Sequence, residues 1–303
     1  MKILVHFELG RFDAATLLQK LRGKRMVFVG DSLNRNQFVS LVCMVDSSIP
    51  PTLKSLQFNG NLIIFKAIEY NASIEFYWSP LLVESNTDDP INHRVEERIA
   101  KLDSIEKHAK HWIDAEVLVF DSYIWWLRPK MKVLWGSFGR SDGIYEEMER
   151  LKSYEMALNT WANWLTTHVD RDRTRLFFMS LSPMHRRAED WGMDANDSCY
   201  NETDPIYEEN YWGSLSNVSM MGVVESTIQD LNNKGLNIQL LNITQLSEYR
   251  KDGHPSIYRK QWVNLTEEQL ANPKSYADCG HWCLPGVPDT WNQILFAYMF
   301  HSH

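Results

Sequence analysis

Four short runs, at 25–29, 115–120, 175–180 and 237–241, are almost wholly apolar, and stretches of helical pattern separate them. A strand that faces water on one side alternates polar and apolar residues; one buried on both sides does not. Runs of this kind between helices predict an α/β chain with a central, mostly parallel sheet flanked by helices in three layers. Helical patterns are expected at 34–44, 95–111, 144–168, 220–232 and 287–300. In the third of these, Met148, Leu151, Met156, Leu158, Trp161 and Leu165 recur at mostly three- to four-residue spacing. Pro288 suits the first turn of the last. Residues 62–67 and 73–78 read as two further strands around a turn at Tyr70-Asn71, and 191–219 as a long surface loop. No repeat or linker divides the chain, so a single domain over residues 1–303 is expected. Parallel sheets bind their ligands beyond the carboxyl ends of the strands, which is where the search for chemistry starts.

Composition narrows the functional classes. With 44% hydrophobic residues the chain can bury a sizeable core. A formal net charge of −8 and no long block of Lys or Arg argue against nucleic acid. No stretch of about 18 apolar residues reads as a membrane span. The start, Met1-Lys2-Ile3-Leu4-Val5-His6-Phe7, is apolar too briefly for a signal peptide before Glu8 and Arg11, so neither anchor nor leader is expected in the chain as written. Four cysteines (Cys43, Cys199, Cys279 and Cys283) do not make a disulfide scaffold, and C-x3-C without a second pair is a weak zinc signal, so no metal is expected. Six N-x-S/T sites, at Asn71, Asn196, Asn201, Asn217, Asn242 and Asn264, lean toward a secretory lumen, where disulfides persist.

The chemistry concentrates at the two ends of the chain. Gly30-Asp31-Ser32-Leu33 follows the first strand directly. Glycine permits a tight turn there, and Ser32 then sits among the unpaired N–H groups of a helix start, which can stabilise an oxyanion while the serine oxygen attacks a carbonyl. Serine needs a base, and Asp278-Cys279-Gly280-His281 supplies one near the other end: His281 to take the proton, Asp278 to orient the imidazole. Each motif alone has an ordinary reading, an N-capped turn for the first and a polar loop for the second. Together, in strand–turn–helix context, they point to acyl transfer. His108 and His111 form H-x-x-H with no third ligand at metal spacing and read as a solvated helix face; His301 and His303 fall at the terminus; Asp88-Asp89 before Pro90 reads as a turn. Twelve tryptophans are unusually many. Core packing accounts for most, but Trp126, after a strand end, and Trp282, beside the base, are expected to offer faces to sugar rings.

Gly30-Asp31-Ser32-Leu33-Asn34-Arg35-Asn36-Gln37 and the segment from Asp278 through Trp282, Pro285 and Pro288 to Asn292 resemble the two signatures of the plant trichome birefringence-like family. Val119 to Trp126, Gly253-His254-Pro255-Ser256 and Tyr258 resemble it too, and the similarity runs over nearly all of the chain from Arg11 onward. The resemblance implies an SGNH/GDSL-like fold and a Golgi polysaccharide O-acetyltransferase, with xylan the best-known acceptor. It carries Ser32, Asp278 and His281 over as the triad, and Gly30, Arg35 and Asn36 as support for the site or its oxyanion. It implies no cofactor beyond an acetyl donor acting as co-substrate. The partners it implies are a polysaccharide acceptor and other Golgi cell-wall synthesis proteins. The family's N-terminal anchor and cysteine-rich segment have no counterpart in this sequence, which leaves Cys43 and Cys283 without their usual partners and Cys199–Cys279 as the expected disulfide, pinning the Asp278 loop. Asp121 stands where the family commonly has Asn. The same triad would also serve a secreted carbohydrate esterase, and a truncated form could bind glycan without catalysis.

Overall fold

A computed structural model describes residues 11–261 and 263–301. The apolar start at residues 1–8 and His303 lie outside the described residues, and the side chain of His301 is not described. In chain order the strands are β1 (Arg25–Gly30), β2 (Lys54–Asn59), β3 (Leu62–Ala67), β4 (Ala72–Trp78), β5 (Glu84–Ser85), β6 (Ile99–Lys101), β7 (Val117–Phe120), β8 (Lys130–Trp135), β9 (Ile144–Glu149), β10 (Arg175–Met179) and β11 (Ile238–Leu241). The helices are α1 (Ala14–Lys20), α2 (Ser32–Asp46), α3 (Glu106–Ala109), α4 (Arg150–His168), α5 (Val218–Asn233), α6 (Thr244–Glu248), α7 (Glu267–Ala271) and α8 (Val287–His301).

The main sheet runs β11-β10-β7-β1-β4-β3-β2. Its first five strands pair in parallel, and β3 and β2 close one edge antiparallel. The apolar runs form the buried middle of this sheet, as expected of strands covered on both faces. Register shows which helices cover which face. Phe28 of β1 is paired with Phe76 of β4, and Phe38 of α2 packs on both rings. Phe120 of β7 is paired with Phe178 of β10 and lies level with Val29, one residue on from Phe28. Successive side chains alternate faces, so Phe120 and Phe178 point the other way, where Trp161 of α4 packs on them. Helices therefore lie on both sides: α2 with α1 and α8 on one, α4 with α5 on the other.

A second sheet, β5-β6-β8-β9, departs from expectation. Residues 144–149 are strand β9, not the first turns of a helix, and α4 starts at Arg150. The glutamates there have cross-strand partners in β8: Glu147 lies opposite Lys132, and Glu146 accepts a bond from Trp135 Nε1 at 3.0 Å. Such pairs stabilise a strand that local helix propensity disfavours. Likewise 95–111 is not a helix. Ile99–Lys101 pairs with β8, and only the single turn α3 is helical. His108 does not sit on a solvated face: it is fully buried, its Nε2 3.1 Å from an Asp88 oxygen and its Nδ1 3.3 Å from the Tyr77 hydroxyl. Asp88 is buried with it, accepting from Ser85 and Lys107.

Contacts between α2 and α8 bring the chain ends together. Asn292 of α8 donates to the Gln37 carbonyl at 3.0 Å and to Ser40 Oγ at 2.9 Å, all of them buried. Since α2 begins at Ser32 and α8 follows closely after His281, packing these helices side by side places the two motifs over one end of β1. Among the described residues no helix is long and apolar enough to cross a membrane.

Candidate active site

β1 ends at Gly30, and Asp31 caps α2 by accepting the Leu33 N–H at 2.8 Å. Gly30 does not adopt a left-handed conformation. Its lack of a side chain matters instead because a Cβ would run into the Asp121 carbonyl, just past the end of the neighbouring strand β7. Leu33 N–H is committed to the cap, so the oxyanion donors at this helix start are fewer than a bare terminus would offer.

Ser32 Oγ lies 2.7 Å from His281 Nε2, across 249 residues of sequence. His281 Nδ1–H donates to Asp278 Oδ2 at 2.8 Å, and the N–H groups of Gly280 and His281 donate to Asp278 Oδ1 at 3.1 and 3.0 Å. Burial alone would raise the Asp278 carboxyl. The hydrogen bond and charge of His281, with those two N–H groups, outweigh burial and hold the carboxyl well below the usual carboxylate range. The ionised Asp278 thereby fixes the tautomer that leaves Nε2 free to accept the serine proton. The His281 side chain is 38% exposed and that of Asp278 is 5% exposed, so the base meets solvent while its orienting carboxylate does not.

Sequence reasoning missed a fourth member. Arg259 Nη1 pairs with the same Asp278 oxygen that binds His281. It comes from a loop 19 residues upstream, where no local motif singles it out. Beside it, Tyr258 is 88% exposed and is the aromatic surface nearest in sequence to this group.

Several contacts hold the base loop. Ser256 and Asp278 exchange backbone hydrogen bonds at 3.2 and 2.9 Å. Asn36 brackets the Trp282 backbone, donating to its carbonyl at 3.2 Å and accepting its N–H at 3.4 Å. The Cys199–Cys279 disulfide, with Cα atoms 5.6 Å apart, ties the loop to the 191–219 segment. Arg35 lies one turn along α2 from Ser32, half-buried, with the Asp31 charge partly offsetting its desolvation.

The two tryptophans expected to face sugar do not. Trp126 is fully buried and donates its Nε1–H to Ser122 Oγ at 2.9 Å. Trp282 is 2% exposed, donates to Ser182 Oγ at 2.8 Å and stacks on His254 at 4.2 Å. Each indole has found an internal partner for its polar edge, which lets the whole ring enter the core.

Asp121 does touch the site. Its carboxyl lies against that of Asp31, and both are buried; neither Oδ2 atom has an N–H or hydroxyl partner among the described residues. Burial pushes Asp31 up to about 6, and burial reinforced by the Asp31 charge pushes Asp121 well above the carboxylate range. Both shifts favour a proton held by the pair, directly behind Ser32 in the chain.

Residues 9–298 match the GDSL/SGNH-like acyl-esterase family found in Pmr5 and Cas1p. The chain is 57% identical over 298 residues to protein trichome birefringence-like 34 of Arabidopsis thaliana, an alignment covering 98% of this chain and 73% of that protein. It is 54% identical over 298 residues to Xylan O-acetyltransferase 12 of Oryza sativa subsp. japonica, covering 97% of this chain and 59% of that protein. With protein trichome birefringence-like 35 of Arabidopsis thaliana it shares 48% identity over 291 residues, 96% of this chain and 64% of the relative.

Proposed function

This chain belongs to the GDSL/SGNH-like acyl-esterase family found in Pmr5 and Cas1p, and from that premise we propose that it is a serine-dependent O-acetyltransferase acting on a cell-wall polysaccharide, with xylan the acceptor. The observation that carries the reading is the Ser32–His281–Asp278 chain of hydrogen bonds. In the first step Ser32 Oγ attacks the donor's acetyl carbonyl and its proton passes to His281 Nε2. The tetrahedral oxyanion forms beside the N-terminal turn of α2, whose dipole favours negative charge, and Arg35 adds a positive charge one turn away. Collapse breaks the bond to the donor's leaving group, which takes the proton from His281, and Ser32 is left acetylated. In the second step a sugar hydroxyl gives its proton to His281 and attacks the acetyl-enzyme. Collapse releases Ser32 Oγ, which recovers that proton, and the sugar leaves as an ester.

No cofactor enters this cycle. The partners are an acetyl donor, a polysaccharide acceptor and other cell-wall synthesis proteins. A Golgi lumen is the setting the reading requires. The relatives' names, the six N-x-S/T sites and a disulfide beside the triad support it. Incubation with an acetyl donor and xylan oligomers, followed by mass spectrometry, tests the proposal. Acetyl-Ser32 and acetylated oligomers are expected. Free acetate with no acetylated sugar would replace transfer by hydrolysis on the same triad. No acetyl-Ser32, acetylated sugar or acetate, with xylan-oligomer binding unchanged in Ser32→Ala, would leave only a glycan-binding role.

A further inference from the structure

Two buried histidines meet ring to ring behind the base loop. His185 Nδ1 lies 2.7 Å from His254 Nε2. At the outer ends, His185 Nε2 is 2.8 Å from the Glu248 carbonyl oxygen, and His254 Nδ1 is 2.6 Å from the carbonyl oxygen of His281 itself. The two residues are 1% and 7% exposed.

The protons can be counted. A carbonyl oxygen only accepts, so each outer nitrogen must carry a hydrogen. The central nitrogen–nitrogen contact needs one as well. Three contacts thus call for three N–H groups, whereas two neutral imidazoles have two between them. In any neutral pair, one buried contact sets two lone pairs against each other. Burial, only partly offset by the charges around the pair, draws His185 down to about 4 and His254 to about 3, so a third proton requires a close counter-charge. One is in place. The Glu248 carboxylate, 1% exposed, has Oε2 3.9 Å from His185 Nε2, and its other oxygen is held by Ser216 Oγ–H. Asp190, Asp252 and Asp278 add negative charge around the pair, while Lys251 and His281 oppose it. Burial raises Glu248, which makes that carboxyl the competing place for the proton, but a proton there leaves the central contact unfilled.

We propose that His185 and His254 hold three ring protons as an imidazole–imidazolium pair balanced by Glu248, and that this pair positions the catalytic base by fixing the His281 carbonyl. The pair touches neither Ser32 nor any reacting atom, so both are positioning residues. His254 reaches the loop from a second side as well. Its ring stacks on Trp282, and a Cβ on Gly253, whose carbonyl accepts the Cys283 N–H at 2.9 Å, would press on that indole at 3.2 Å. The positioning role rests on the acyl-transfer reading; the proton count does not.

The test uses the whole chain labelled with 15N-histidine. Three ring N–H groups are expected from the pair at pH 7, one of them far downfield, falling to two in Glu248→Gln. In parallel, a fluorophosphonate probe reads Ser32 reactivity. Labelling is expected to slow about tenfold in His254→Phe. His254→Asn, which keeps a donor to the His281 carbonyl, is expected to recover most of that loss. Two ring N–H groups in the wild-type protein at pH 7 would overturn the proposal without any kinetic measurement, so poor folding of a variant cannot protect it. Equal labelling of folded wild type and His254→Phe would overturn the positioning role. Three ring N–H groups beside an unreactive Ser32 would sink acyl transfer while leaving the proton count standing.

Discussion

Replacing Asp121 with Asn changes one buried oxygen to an N–H2 group, and the structure sets how that change scales with pH. Asp121 and Asp31 are both fully buried, and both folded-state carboxyls are raised, Asp31 to about 6 and Asp121 well above its ordinary 3.8. In the unfolded chain both ionise near 3.8. A raised folded-state carboxyl contributes stability that is present in acid and is lost as pH rises toward the folded value. Asp31 gives up its share between about 4 and about 6. While Asp121 still holds its proton above that range, the folded state binds one proton more than the unfolded state. Stability then falls by about 1.4 kcal/mol per pH unit. In Asp121→Asn no proton is needed, because the Asn amide donates directly to the Asp31 carboxylate. The variant is therefore expected to match wild type below about pH 4 and to exceed it increasingly as pH rises, by about 1.4 kcal/mol for each pH unit over which folded Asp121 keeps the proton that the unfolded chain has lost. Urea titrations followed by tryptophan fluorescence at pH 5, 6, 6.75 and 7.5 measure the gap, and titrating groups away from Asp31 and Asp121 cancel between the two proteins. A gap that stays constant across this range would refute the shared proton.

Asp278→Asn is expected to keep the fold but lower the rate of Ser32 acetylation by about 10³-fold or more, since the amide no longer favours the correct imidazole tautomer; single-turnover kinetics read this as a loss in rate rather than in donor affinity. Arg259→Gln removes the guanidinium from the same carboxylate, and a tenfold or greater fall in kcat with little change in KM is expected of a group that acts through Asp278. Cys199→Ser opens a bridge between residues 80 apart. The chain-entropy relation puts the loss at about 4.5 kcal/mol, measurable by chemical denaturation with and without reductant. Trp126→Ala and Trp282→Ala each empty a buried indole site, and losses of about 3–5 kcal/mol are expected. Isothermal titration with xylan oligomers on the folded fraction should show unchanged affinity, because neither ring reaches the surface.

The middle of the main sheet was legible because its signal is local. A strand covered on both faces must be apolar at consecutive positions, and β1, β7, β10 and β11 are nearly so. The Gly30-Asp31-Ser32 turn and the Asp278–His281 loop were legible for a similar reason: the residue types a nucleophile and its base require stand within a few positions of one another. The disulfide followed from resemblance rather than spacing. Strands β8 and β9 escaped notice because their glutamates and lysines become strand residues only when paired with each other, and partners in a ladder lie outside any short window.

The amino-acid sequence alone determined which strands could be buried, where a helix could start behind a serine, and which residue types were available for acyl chemistry. Tertiary structure alone decided that Trp126 and Trp282 belong to the core, that Asp121 is buried against Asp31, and that Arg259 and His254 bond to the base loop with His185 behind them. The difference is one of range. Apolar periodicity acts over a few residues, whereas burial, proton sharing and ion pairing depend on which distant side chains the packed helices and strands bring within about 3 Å.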